Sequence, residues 1–470
     1  MNVKVILFLL LVGSVSISWL LISTESTQMR DITASELTKE MVTGWNLGNS
    51  FDVRDRDKTV WGNPLPSKEI IDNISARGFK TLRIPVTWSF HMGDAPDYLI
   101  EEDYLERVAD IVRYGLDNDM YVIINTHHDD WIVPTYESEA EVSMQLEKLW
   151  TQVAERFKTY SDFLLFETMN EPRVMGSPIE WTGDFEGRDV INNYNQICVD
   201  AIRATGGNNA ERFLIIPTYA ANTQTESMDQ LKVPNDDSRI IISMHTYFPY
   251  DFTLNEAGSV TWGTEQDKEN LSNEFQKIHQ KFIANGQAVI LGEWGAINKN
   301  NDAERLFYYQ EYARQAAEKE LPLIVWDDGG QFQLFSRHAL SWTTSGGEIA
   351  DSIISTINSA YGITEEEKPL SFNRSSNIIN QIYWVSSKTD TGSLYINFEL
   401  SKKTEVDLKI FDLNGKLIQD LSDGELFDSG FHRIVWNGAS KEGSSAPEGV
   451  YIAHICTQSE SLSMRLTLKH

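Results

Sequence analysis

The sequence predicts an α/β fold, a (β/α)8 barrel (TIM barrel), followed by a small all-β, immunoglobulin-like sandwich. Three observations carry this prediction. Short apolar runs recur between residues 43 and 326, separated by longer amphipathic stretches. A polar segment without periodicity interrupts the chain near residue 365. Beyond it the hydrophobic pattern changes to period two, with turn signals between the runs.

The apolar runs lie at 43–47, 81–85, 121–126, 163–167, 213–217, 240–245, 288–292 and 323–326. Most are rich in Val, Ile, Leu and Phe, as befits strands covered on both faces. Helical patterns at 102–116, 139–159, 190–204, 266–284 and 303–318 fall between them, and a last one near 349–361 closes the series. Strand–helix alternation over residues 31–360 suits a closed parallel barrel, whose usual size range includes this length. Residues 361–377, with Glu365-Glu366-Glu367-Lys368-Pro369, read as a linker. Residues 378–470 show alternating runs at 393–398, 405–411, 432–436, 449–455 and 464–468, plus two weaker ones. Asn414-Gly415, Asp423-Gly424 and Ser429-Gly430 mark turns, and the spacing predicts a small antiparallel sandwich.

Composition narrows the function. Hydrophobic residues make up 41% and charged residues 23%, ordinary for a chain with a sizeable core. A net charge of −29 argues against a nucleic-acid partner, which needs clustered Lys and Arg, and offers no attraction to anionic membranes. The 13 Trp fit either a large core or a cleft in which flat rings stack on sugars. At the N-terminus, Lys4 precedes an apolar run that extends to Ile22 before the chain turns polar. Residues 1–24 are therefore expected to be a secretory signal peptide, with an uncleaved anchor as the alternative. The expected location is secreted or cell-surface. Cys198 and Cys456 fall in different predicted domains and are expected to be free thiols. A monomer is expected.

In such a barrel, reactive side chains project from the C-terminal ends of the strands. Those ends carry Trp45-Asn46, Arg83, His127-His128-Asp129, Asn170-Glu171, His245-Thr246-Tyr247, Glu293-Trp294 and Trp326-Asp327. A purely structural barrel has no need to gather these groups at one rim. Two carboxylates on separate strands are the minimum equipment for glycosidic cleavage: one protonates the leaving oxygen and the other attacks the anomeric carbon. Glu171 and Glu293 are the candidate catalytic pair. Arg83 is placed to keep Glu293 ionised, whose charge should then raise the pKa of Glu171. Asn170 is placed to bind a sugar 2-hydroxyl, Tyr247 to donate to the nucleophile and His245 to border the acid/base. Trp326 is the candidate sugar floor, with Trp61 and Trp131 as walls.

These residues together resemble glycoside hydrolase family 5, retaining enzymes that include many endo-β-1,4-glucanases. The resemblance rests on "GWNLGNSFD" at 44–52, "GFKTLRIPVTW" at 78–88, "NTHHDDW" at 125–131, "ETMNEP" at 167–172, "HTYFPYDF" at 245–252 and "LGEWGA" at 291–296. It implies Arg83, His127 or His128, Asn170, Glu171, His245, Tyr247, Glu293 and Trp326 in the site. Asn46 joins them as a substrate-binding expectation. The two histidines should point differently, and the sequence leaves open which one faces the sugar. The opening motifs look most like the subgroup of broad endoglucanases and xyloglucanases. The resemblance implies a β-glucan substrate and no cofactor. The tail, with "LKIFDLNGKLI" at 408–418, "GFHRIVWNG" at 430–438 and "EGVYIAHI" at 448–455, is similar to type IX secretion sorting domains, which implies a secretion-machinery partner. A carbohydrate-binding tail is the competitor, with Trp384 and Trp436 as platforms or core.

Other classes fit poorly. No metal-spacing motif accompanies His127, His128, Asp129 and His245, and no GxSxG or GxGxxG loop is present. A non-catalytic sugar-binding protein would be expected to have lost one glutamate. Mannanase or xylanase action on the same barrel stays open.

Overall fold

The computed structural model describes residues 29–361, 379–386, 394–400, 402–413, 415–427, 430–441, 443–458 and 461–468. The expected signal peptide at 1–24 and nearly all of the expected linker lie outside the described residues. No helix among the described residues is long and apolar enough to cross a membrane. The chain divides into two units, Met1–Glu366 and Glu367–His470.

In the first unit eight parallel strands close in chain order: β1 (Thr43–Asn46), β2 (Thr81–Ile84), β3 (Tyr121–Asn125), β4 (Leu164–Glu167), β5 (Leu214–Pro217), β6 (Ile240–His245), β7 (Ala288–Trp294) and β8 (Leu323–Val325). The return of β8 onto β1, with Gly44 opposite Ile324, completes the barrel. Helices Glu102–Asp117, Glu139–Arg156, Glu265–Lys281 and Asp302–Ala317 begin and end within a few residues of their predicted positions. Two helices start earlier than their apolar periodicity, because caps start them: Asp184 accepts the Gly187 N–H before Phe185–Ala204, and Thr343 accepts that of Gly346 before Thr344–Ala360. A short hairpin, β9 (Phe335–Ser336) with β10 (Ser341–Trp342), follows β8.

Alternation along the strands sorts the core. Leu82, Ile84, Val122, Ile124, Leu164, Phe166, Leu214, Ile216, Ile242, Leu291 and Val325 belong to the cluster shared with the surrounding helices. The intervening Ile123, Leu165, Ile215, Ile241, Ile290 and Ile324 form a second cluster with Ala34, Leu37 and Met41 of helix Ala34–Met41. Continuing those inward positions toward the strand ends changes their chemistry: Ile123 is followed at period two by Asn125 and His127, Leu165 by Glu167, Ile241 by Ser243 and His245. The barrel interior is apolar at one end and polar at the other.

The second unit contains two antiparallel sheets: β11 (Ile379–Ser386), β12 (Leu394–Leu400) and β15 (Gly430–Trp436) form one, and β14 (Leu417–Phe427), β13 (Thr404–Asp412), β16 (Gly449–Cys456) and β17 (Ser461–Leu468) the other. Inward residues Ile396, Phe398, Val406, Leu408, Ile410, Ala453, Ile455 and Trp436 make its core. Trp436 is fully buried, and its indole N–H donates to the Ala439 carbonyl at 2.8 Å, so it packs the core and offers no platform. The Trp384 side chain lies outside the described residues. Both cysteines are free.

Candidate active site

The polar end of the barrel is organised by Arg83. Its inward position on β2 is fully buried, and its guanidinium serves four partners. Nε and Nη2 both donate to Glu167 Oε2, at 2.8 and 2.7 Å. Nη1 donates to Asn46 Oδ1 at 2.8 Å and to Glu293 Oε1 at 2.9 Å, and Nη2 also reaches Asn170 Oδ1 at 2.7 Å. A guanidinium has only donors, so both amides must turn their oxygens toward it. That leaves the Asn170 amide nitrogen for a ligand.

Asn46, expected to contact substrate, is a correction. It has no exposed surface, and its Nδ2 donates to the carbonyls of Gly292, Ile324 and Val325 at 2.9, 3.1 and 3.2 Å. Its amide joins β1 to the ends of β7 and β8 and holds Arg83 from behind.

Strict alternation would send Glu293 outward with Leu291. The pairing instead slips: Leu291 faces Leu323 but Trp294 faces Val325, and on the other side His245 comes opposite Glu293. This bulge turns Glu293 into the barrel while Trp294 points out and stacks on Tyr312 at 4.3 Å. Gly292 makes room for it, because a Cβ there would lie 2.8 Å from Ser243 Oγ and 3.0 Å from His245 Nε2.

Both oxygens of Glu293 are engaged. Oε1 accepts from Arg83, and Oε2 accepts the Tyr247 hydroxyl at 3.0 Å. Burial, with Glu171, leaves this carboxyl raised although His245 and Arg83 pull it down, which corrects the expectation that Arg83 alone holds it low. Two donors on its two oxygens favour the charged form. Burial and the Glu293 charge hold the Tyr247 phenol far above its ordinary value, so it remains a donor.

Glu171 sits in the loop after β4, where the Asn170 N–H donates to the Thr126 carbonyl at 2.9 Å. Its Oε1 meets His245 Nδ1 at 2.8 Å, and its Oε2 accepts from Arg173 Nη1 at 3.2 Å. Burial raises this carboxyl, but the His245 hydrogen bond and charge, with Arg173 and His128, outweigh it and leave it lowered. The expected rise of Glu171 is thereby corrected: His245, 3.7 Å from Glu293, stands between the two carboxylates. Burial depresses His245, yet Glu293 and Glu171 together raise it. One oxygen of Glu171 and one of Glu293 lie within 4.8 Å of each other.

The two adjacent histidines separate. Asn125 Nδ2 lies 3.2 Å from His127 Nδ1 and donates to it, so His127 presents Nε2–H, 4.0 Å from Glu293 Oε1. Burial, His128 and Arg83 keep it neutral. Its ring lies parallel to Trp326, at 5.9 Å and 4°. His128 turns toward Trp61 at 6.0 Å and is lowered to about 4 by burial and Arg54. His127 is the one facing Glu293.

Trp326, 9% exposed, clusters with Ile297, Phe332 and Tyr247, whose hydroxyl reaches Glu293. Trp61 is 41% exposed. Trp131 is half-buried against the barrel core. Asp129 is committed elsewhere: its carboxylate accepts the N–H groups of Trp88 and Ser89 at 3.0 and 2.8 Å. Among the described residues, two groups have the spacing to hold a cation, Glu171–His245–Glu293 and Asp52–His127–His128. In the first, the carboxylates already serve Arg83, Tyr247 and Arg173. In the second, Asp52 already accepts the Asn49 and Ser50 N–H groups at 2.9 and 2.6 Å.

Sequence reasoning gave no role to Glu167, Asn125 or Arg173. The first two were legible as polar residues at inward positions of apolar strands. Arg173 had no such signal.

Residues 40–331 match the family profile Cellulase (glycosyl hydrolase family 5). The chain belongs to glycosyl hydrolase family 5. Among relatives, it is 47% identical over 334 residues to endoglucanase B of Clostridium cellulovorans, covering 68% of this chain and 76% of that one. Among solved structures, ZgEngAGH5_4 in complex with a cellotriose shares 50% identity and a TM-score of 0.68, covering 70% of this chain and 99% of that one. A GH5-4 broad specificity endoglucanase from Clostridium acetobutylicum shares 43% identity and a TM-score of 0.68, covering 69% and 100%.

Proposed function

We propose that this family-5 enzyme is a retaining, endo-acting glycoside hydrolase that cleaves β-1,4-glucan chains, with Glu293 as nucleophile and Glu171 as acid/base. The observation that carries the stereochemistry is the approach of the two carboxylates to within 4.8 Å. Retaining sites hold their carboxyl groups about 5–5.5 Å apart, whereas inverting sites need about 6.5–9.5 Å to admit a water. Endoglucanase relatives and a cellotriose complex support the β-1,4-glucan backbone.

Glu293, aligned by Arg83 and Tyr247, attacks the anomeric carbon as Glu171 gives its proton to the departing glycosidic oxygen. The proton given up is the one on Oε2, because Oε1 faces His245 Nδ1 at 2.8 Å. Forming the ester consumes the charge of Glu293. Water then attacks the anomeric carbon, the ester bond breaks and Glu171 takes the water proton. The free Asn170 amide is placed for the sugar 2-hydroxyl, a contact that strengthens at the transition state.

NMR of the first-formed product tests the reading: the retained β anomer is expected, and an initial α anomer would overturn it. A panel of cellulose derivatives, mixed-linkage glucan, xyloglucan, mannan and xylan tests the substrate, with the glucans hydrolysed fastest. Release of reducing sugar without a fall in viscosity would overturn endo action. We also read residues 1–24 as a secretory signal and the second unit as a sorting domain for secretion to the cell surface. The turn-rich strand pattern and the resemblance of its motifs support this, as does the use of Trp436 as core.

A further inference from the structure

Glu171 has a charged neighbour that the scheme above leaves unused. Arg173 lies two residues on, in the loop after β4, and is 14% exposed. Nη1 donates to the Glu171 backbone carbonyl at 2.9 Å and to its Oε2 at 3.2 Å. Nε donates to Glu180 Oε1 at 3.1 Å, and the other Glu180 oxygen accepts the Gly176 N–H at 2.9 Å. The guanidinium carbon stands 4.3 Å from the centre of the Trp181 ring, which is 53% exposed. The arginine is therefore anchored by a carboxylate, a carbonyl and an aromatic face, none of which is the reacting group. Its bond to Oε2 is the longest of its hydrogen bonds and can break without the side chain moving away.

This matters because Oε1 of Glu171 is occupied by His245, leaving Oε2 as the oxygen available to the glycosidic oxygen or to water. We propose that Arg173, held by Glu180 and Trp181, is a positioning residue that favours the base form of Glu171 and so drives the second half-reaction. In the first half-reaction Oε2 carries the proton and the arginine bond is open. Once that proton has gone to the leaving oxygen, Nη1 closes on the carboxylate. Water attack then delivers one proton to Glu171 as the bond from Glu293 to the anomeric carbon breaks, so protons and electrons balance with water alone. The inference rests on Glu171 being the acid/base.

The groups facing Glu171 are His245 from β6, Glu293 from β7, and His128 with Arg54 across the pocket they line with Arg173. Against that set, Arg173→Gln removes a positive charge. The basic limb of kcat/KM, which reports loss of the protonated acid, should move up by roughly half to one pH unit. On an activated aryl cellobioside, whose turnover is limited by hydrolysis of the glycosyl-enzyme, kcat should fall at least about tenfold, with a larger pre-steady-state burst. Arg173→Lys should restore the limb. Glu180→Gln keeps the guanidinium and deletes its competing anion, so the limb should move in the opposite direction. A limb unmoved by Arg173→Gln, or the same displacement in the Gln and Lys variants, would overturn the proposal. Should Arg173→Gln not fold, an unmoved or upward-moving limb in Glu180→Gln does the same. Azide rescue of Glu171→Ala, with release of a glycosyl azide of retained β configuration, tests the acid/base reading separately.

Discussion

Glu167 offers a clean way to separate charge from geometry. Nε and Nη2 of Arg83 and Nδ2 of Asn125 all donate to its Oε2, at 2.8, 2.7 and 2.9 Å, while Oε1 has no hydrogen-bond partner. In Glu167→Gln the amide oxygen takes the Oε2 place, keeps all three bonds and puts the amide nitrogen where no partner waits. The charge is lost, and the two new N–H donors are left without acceptors. Removing one partner of a buried ion pair outright costs about 3–5 kcal/mol, and retention of the bonds brings this to about 2–3 kcal/mol. With unfolding entropy near 2.1 cal/mol/K per residue, the barrel gives about 0.7 kcal/mol/K, so Tm should fall by about 3–4 °C. The catalytic consequence has a definite sign. Activity needs Glu293 ionised and disappears as pH falls through its pKa. Deleting a nearby anion leaves the Arg83 charge to Glu293 alone, lowers that pKa and moves the acidic limb of kcat/KM down by roughly half to one pH unit. Calorimetry and a pH–rate profile on one soluble oligosaccharide read both effects. A fall in Tm with an acidic limb that stays put or moves up would refute the argument that Glu167 shares the guanidinium with the nucleophile.

Glu293→Gln should abolish turnover while still binding cello-oligosaccharide by calorimetry. Glu171→Gln should slow substrates with poor leaving groups far more than activated aryl glycosides, a ratio that steady-state kinetics measures directly. Trp326→Ala should cut kcat/KM by roughly tenfold or more through lost stacking and burial. Trp436→Ala should leave kcat/KM unchanged and instead lower the unfolding temperature of the second unit, where that ring is core. Removing residues 378–470 should leave activity on soluble glucan nearly intact and block surface delivery; lost binding to insoluble polysaccharide with normal export would instead favour a carbohydrate-binding tail.

The barrel was legible because each strand is a short apolar run whose two faces are both covered, and the rim residues followed from where those runs stop. Arg83, Glu171, His245, Tyr247 and Glu293 converge for that reason. What stayed hidden depends on deviations from regular geometry. The β7 bulge overrides the alternation that would have turned Glu293 outward, and nothing in "LGEWGA" announces it apart from the glycine. Asn46 stood at a strand end like the others, yet the carbonyls left free where β7 and β8 fall out of step claimed its amide. The direction of the Glu171 shift depends on a 2.8 Å contact from a strand 74 residues away, which spacing alone does not disclose. Arg173 lies in a loop, where no periodicity assigns a facing.

The Asn46 amide has a consequence for how the enzyme comes to be active. Its three acceptors lie 246, 278 and 279 residues further along the chain. Contacts of such separation carry the full entropic cost of loop closure and form late. A nascent chain that has completed β1 to β6 already owns Arg83, Glu171 and His245, but it has neither Glu293 nor the carbonyls that fix Asn46 behind the guanidinium. Catalytic competence therefore arises in the same event that joins the last strand to the first, and recovery of activity during refolding is a clock for barrel closure.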